Sequence, residues 1–253
     1  MRLQLPRLIG AWLPWIVAGM AACLPLGAGA QALVDDAASA APQPPRVSPG
    51  VWVVMGSSSA VGVGGGMGRG WASLLQAKMH DHGVSLLNLA KSGATSYAGL
   101  SVNQSPVVAD RPPPESDINI DTALSLQPKL LLISYPSNDT AKGYAPQETL
   151  GNIVSISQQA AKRRVPVIVL SSQPRKLPAD QLARISELNA LLSSAFGPCF
   201  VDVYSVLSGP NGQYTPEVDA GDGIHPNLLG HERIYEQVQQ LINSRRCVLV
   251  GKS

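Results

Sequence analysis

Several kinds of residue are scarce in this chain, and each scarcity removes a class of function. Only 5% of the 253 residues are aromatic, and the net charge is +2 with its basic side chains scattered. No phosphate-tracking stripe or base-stacking platform results, so nucleic acid is excluded as a partner. Cysteines number three and histidines four, and they do not gather into a ligand set. His80 and His82 read as a solvated helix end, and His231, six residues after His225, as a surface residue, so no metal is expected. Glycine is plentiful from Gly62 to Gly70, but no G-x-G-x-x-G occurs and Trp71 follows where a phosphate loop needs Lys-Ser or Lys-Thr. The run is expected to be a flexible loop rather than a nucleotide cradle.

What is present divides the chain in three. Arg2 and Arg7 precede an uncharged apolar stretch from Leu8 to Ala30 that ends in Ala28-Gly29-Ala30. This is the pattern of a cleaved signal peptide over residues 1–30. Retention as a membrane anchor and lipid attachment at Cys23 of "GMAAC" are the alternatives, and only these would bring the protein to a membrane. Residues 31–49 are rich in Ala and Pro with too little apolar pattern to pack, and read as a linker. One domain, 50–253, remains, long enough to bury a core.

That domain alternates two patterns. Short apolar runs at Val51 to Met55, Val84 to Ala90, Lys129 to Pro136, Val165 to Ser171 and Cys199 to Tyr204 read as strands covered on both faces. Between them lie helical periodicities, clearest from Ala179 to Phe196, where Leu182, Ile185, Leu188, Leu192 and Phe196 share a face. A last one runs from about Leu228 to Arg245. Such alternation implies a three-layer α/β/α sandwich around a five-stranded parallel sheet, flavodoxin-like in arrangement.

Ligands bind such sheets beyond the carboxyl ends of the strands. Four loops converge there: "GSSSAVG" after the first strand, "NLAKSGATS" after the second, "YPSNDTAKGY" after the third and "DAGDGIHPNLLGH" before the last helix. In "DGIH", Asp222 and His225 are three apart, so one carboxylate can reach one imidazole nitrogen while the other nitrogen faces outward. A general base serving a serine needs that arrangement. A helix-entry loop with polar caps is the alternative for this stretch alone.

Together the four loops resemble the SGNH hydrolase superfamily, the GDSL-type esterases and lipases, over almost all of Val51 to Val238, and more narrowly a bacterial exported subgroup of it. The resemblance assigns Ser58 as nucleophile, with Asp222 and His225 completing a catalytic triad. It assigns the backbone N–H of Ser58, the backbone N–H of Gly93 and the side chain of Asn138 to the oxyanion hole. Where the family has aspartate before the nucleophile this chain has Ser57, leaving three adjacent hydroxyls of which Ser58 matches by register. No cofactor is implied, and the expected partner is a small-molecule or polysaccharide ester.

Substrate and export follow as further expectations. Tyr97, Tyr135, Tyr144, Tyr204 and Tyr214 fall on the active-edge loops, where they either offer flat faces to a sugar or merely cap the sheet. With no segment fit to line a long acyl tunnel, the expected activity is removal of short acyl groups, foremost acetyl, from carbohydrate. A lipolytic or thioester hydrolase of longer chains and a catalytically silent carbohydrate-binding module are the alternatives. Lys91 and Arg175 lie near the same edge, either solvated or in reach of substrate. Cys199 and Cys247, the cysteines left after leader cleavage, are expected to pair, because the last helix runs back toward the start of strand five. The location is then periplasmic or secreted.

Overall fold

The computed structural model describes residues 48–104, 108, 110–135, 137–244 and 246–247. The expected leader, Cys23 and all but the last two linker positions lie outside the described residues. Five strands form one sheet: β1 (Gly50–Gly56), β2 (Val84–Asn88), β3 (Leu130–Ser134), β4 (Val167–Leu170) and β5 (Phe200–Val201). Their order is β2-β1-β3-β4-β5, and each pairing is parallel. Alternation along the strands then sends side chains to two faces. Trp52, Val54, Leu130, Leu132, Ile168 and Leu170 pack on one face against α2 (Trp71–His80) and α7 (Leu228–Ser244). On the other face Val53, Met55, Leu131, Ile133 and Val169 meet α3 (Ile120–Ser125), α5 (Pro146–Lys162) and α6 (Ala179–Phe196). Two short helices, α1 (Ser58–Val61) and α4 (Ser137–Ala141), begin directly after β1 and β3.

Two strands differ from expectation. β5 has two residues rather than the six from Cys199 to Tyr204, because the Ser171 hydroxyl accepts the N–H groups of Val203 and Tyr204, both at 3.0 Å, and turns the chain out of the ladder. β2 is not covered on both faces: as an edge strand it leaves Leu87 37% exposed. At the edge opposite Ser58, Cys199 and Cys247 are joined by a disulfide, with Cα atoms 4.5 Å apart.

Candidate active site

β1 ends at Gly56, and the three serines follow in unequal surroundings. Ser57 and Ser59 are buried, while Ser58, the first residue of α1, is only partly covered. Its Oγ lies 3.0 Å from His225 Nε2. On the far side of the ring, His225 Nδ1 is 2.7 Å from Asp222 Oδ2. The other oxygen, Asp222 Oδ1, accepts the backbone N–H groups of Ile224 at 2.8 Å and His225 at 2.9 Å. Burial opposes the Asp222 charge, but the His225 ring and these two N–H groups outweigh it and hold the carboxyl at about 2. The loop is shaped one turn earlier in the same way, Asp219 Oδ1 accepting from Gly221 and Gly223. Ser58, His225 and Asp222 therefore form one continuous chain of hydrogen bonds.

Asn138 and Gly93 come from the two neighbouring loops. Asn138, in α4, donates from Nδ2 to the Ala94 carbonyl at 3.0 Å and accepts at Oδ1 from Arg175 Nη1 at 2.7 Å. Gly93 is exposed, with a left-handed φ of +81° and open space where a Cβ would stand. Neither its N–H nor that of Ser58 meets an acceptor among the described residues. Asp139 rivets these loops together: its carboxylate accepts from the Ser96 N–H at 3.0 Å, from the Ser96 hydroxyl and from Thr149 Oγ1 at 3.4 Å. Nothing in the pattern of the sequence distinguished Asp139 from a loop acid; its place beside Asn138 in "SND" was the available signal.

Other candidates take different roles. His231 is not on the surface: it is fully buried, its Nε2 donates to the Val63 carbonyl at 2.9 Å, and its Nδ1 accepts from the Trp71 N–H at 3.3 Å. It clamps the glycine-rich loop onto α7, and burial lowers its pKa, keeping it neutral. The tyrosines do not form a sugar platform. Tyr97, Tyr135, Tyr144 and Tyr214 are buried and Tyr204 is partly covered, its hydroxyl bound to the Gly212 carbonyl. Tyr97 and Tyr144 meet edge to face, with Arg111 over the Tyr144 ring and Glu148 bridging Arg111 and the Tyr97 hydroxyl. Packing of a loop has consumed those faces. Lys91 pairs with Glu115, and Arg175 with Asn138. No group of three or more metal-binding side chains occurs among the described residues.

Comparison with known proteins places the chain in a family. Esterase TesA of Pseudomonas aeruginosa is 26% identical over 195 residues, which span 74% of this chain and 84% of the relative. A crystal structure of TesA superposes with a TM-score of 0.60 at 24% identity, covering 76% of this chain and 97% of that one. A GDSL-like lipase from Bacteroides thetaiotaomicron gives 0.57 at 23% identity, covering 77% and 88%. At such identities the two structures speak to the fold alone. The family profile of the GDSL-like lipases and acylhydrolases matches residues 54–233. With that span matched, the chain belongs to the GDSL-like Lipase/Acylhydrolase family, the SGNH-type fold, and is a carboxylic ester hydrolase.

Proposed function

We propose that the protein is an exported serine esterase that cleaves short-chain acyl esters through an acyl-enzyme on Ser58. The observation that carries this reading is the unbroken contact from Ser58 Oγ through His225 to Asp222. With Nδ1–H donated to Asp222, Nε2 is the free lone pair, and it takes the Ser58 proton as Oγ attacks the ester carbon. The imidazolium that forms faces a carboxylate held ionised. Collapse of the tetrahedral intermediate passes the proton to the leaving alcohol, and water then repeats the sequence on the acyl-enzyme. The negative oxygen is received by the N–H groups of Ser58 and Gly93 and by the second Nδ2 hydrogen of Asn138. Each such donor is worth about 3 to 4 kcal/mol when aimed at the developing charge. The route uses no metal or organic cofactor.

Chain length is the open variable. Val61, Ile224 and Leu229, near Ser58 and His225 in the chain, are 45%, 37% and 36% exposed, and Met67 at the tip of the glycine loop is 99% exposed. These side chains favour the second reading, a lipolytic enzyme, and a p-nitrophenyl ester series decides between the two. In the short-chain reading kcat/KM is highest for acetyl or propionyl and falls toward octanoyl. A rise of about 0.8 kcal/mol per methylene overturns it for the lipolytic one. Ser58→Ala and His225→Ala each lower kcat by several orders of magnitude in either case. Acetylated polysaccharide enters the same assay without a tyrosine platform to favour it.

Export rests on the leader pattern, joined by the disulfide. No described helix is long and apolar enough to cross a membrane. N-terminal sequencing of the protein recovered outside the cytoplasm is expected to begin at Gln31. A mature chain beginning at Cys23 with bound lipid overturns cleavage in favour of anchoring.

A further inference from the structure

Asn138 is bracketed by two groups from different loops that together permit one orientation of its amide. The Ala94 carbonyl, an acceptor, faces Nδ2, and the Arg175 guanidinium, a donor, faces Oδ1. Rotating the amide by half a turn sets carbonyl against carbonyl and N–H against N–H, so both contacts become repulsive. Arg175 is itself held close to the site. Its neighbour Lys176 donates its backbone N–H to the Gly223 carbonyl at 2.7 Å, which ties the segment after β4 to the Asp222–His225 loop. The guanidinium is half-buried, and no carboxylate lies within ion-pair distance of it among the described residues. The Asp222 carboxylate attracts the guanidinium from beyond ion-pair distance, and the hydrogen bond goes instead to the oxygen of a neutral amide.

We infer that Arg175 is a positioning residue for the oxyanion hole: by hydrogen-bonding Asn138 Oδ1 it fixes the amide with its free N–H toward the reacting carbonyl and strengthens that N–H as a donor. This deepens the proposed function and rests on Asn138 being an oxyanion donor. Two physical effects act in the same direction. A cationic donor on Oδ1 draws electron density from the amide nitrogen, so its remaining hydrogen carries more positive charge. The amide is also oriented before the oxyanion forms, so no reorganisation is left for the transition state. Both effects grow as charge develops on the substrate oxygen, and the loss on removing Arg175 therefore belongs in kcat rather than KM.

The test is a double-mutant cycle on p-nitrophenyl acetate. Arg175→Met keeps an unbranched apolar stem and removes the guanidinium donors, and is expected to lower kcat by about 10- to 100-fold with KM changed by less than about 3-fold. Arg175→Lys, which retains a cation without the planar fork, falls between Arg175→Met and the unsubstituted enzyme. Asn138→Ala lowers kcat by about 100- to 1,000-fold, and adding Arg175→Met to it lowers kcat no further than about 2-fold. Losses that multiply in the double variant, or an effect confined to KM, overturn the positioning role and make Arg175 a direct contact for substrate. Circular dichroism and the melting temperature establish that each variant folds; where Arg175→Met does not, Arg175→Leu, which likewise has no donor, replaces it in the cycle. Should Ser58→Ala keep normal turnover, the proposed function fails and this inference with it. Loss in Ser58→Ala and Asn138→Ala with full activity in Arg175→Met overturns this inference alone.

Discussion

Asp139 shows how one buried side chain can hold a site together and register pH. It is fully buried, and burial pushes its carboxyl up to about 7, against Ser96 and Thr149 donors that favour the ionised form. An ordinary aspartate in the unfolded chain titrates near 3.8. Between those two values the folded protein holds a proton that the unfolded chain has released, so this group makes stability fall as pH rises from about 4 to about 7. Urea denaturation across that range is expected to show the decline and Asp139→Asn to remove it; an unchanged slope in the variant places the titration elsewhere. At this scale the sequence was legible where a residue type has one chemistry at one spacing. Asp222 and His225, three residues apart, are hydrogen-bonded as that spacing implies, whereas Ser58, which meets His225 Nε2 from 167 residues away, was singled out by the family resemblance alone. Asp139, Arg175 and His231 were not legible, because each acts through a partner 43, 37 or 168 residues away.

Among the elements, the glycine-rich loop couples most directly to the chemistry. A Cβ on Gly64 would lie 2.2 Å from the Pro226 carbonyl, and its φ is +92°. The loop therefore packs directly on the turn that carries His225. Gly66 also has a left-handed φ, +85°, but open space around it. Gly66→Ala is expected to cost about 1 to 2 kcal/mol of backbone strain and to leave kcat unchanged. Gly64→Ala adds overpacking of about 1 to 3 kcal/mol and displaces His225, so kcat falls as well. Equal kcat values for the two variants, measured beside their melting temperatures, sink this coupling. The strand and helix periodicities gave the layers correctly, with α6 beginning and ending at Ala179 and Phe196 as read from its apolar face. They failed at the end of β5, where a side chain, Ser171, replaces the backbone partner; apolar periodicity carries no record of that exchange.

Across the whole molecule, the parallel sheet separates chemistry from covalent bracing. Every strand points its carboxyl end toward Ser58, so the start of β5 and the end of α7 meet at the other edge, where Cys199 and Cys247 are joined. The link spans 48 residues and encloses the whole Asp222–His225 loop and α7. In the chain-entropy account such a closure stabilises by about 4 kcal/mol at most, because it removes open conformations from the unfolded chain. That contribution acts on the unfolded state and not on the geometry at Ser58. The variant carrying both Cys199→Ala and Cys247→Ala is therefore expected to unfold at lower urea concentration, by up to that amount, while its kcat at 25 °C matches the parent enzyme. Thiol titration of the mature protein, denatured without reductant, is expected to find no free cysteine, and two titrating thiols refute the bridge. A fall in kcat as large as the fall in stability would instead mean that the brace reaches the His225 loop through α7, and the separation of the two edges would not hold.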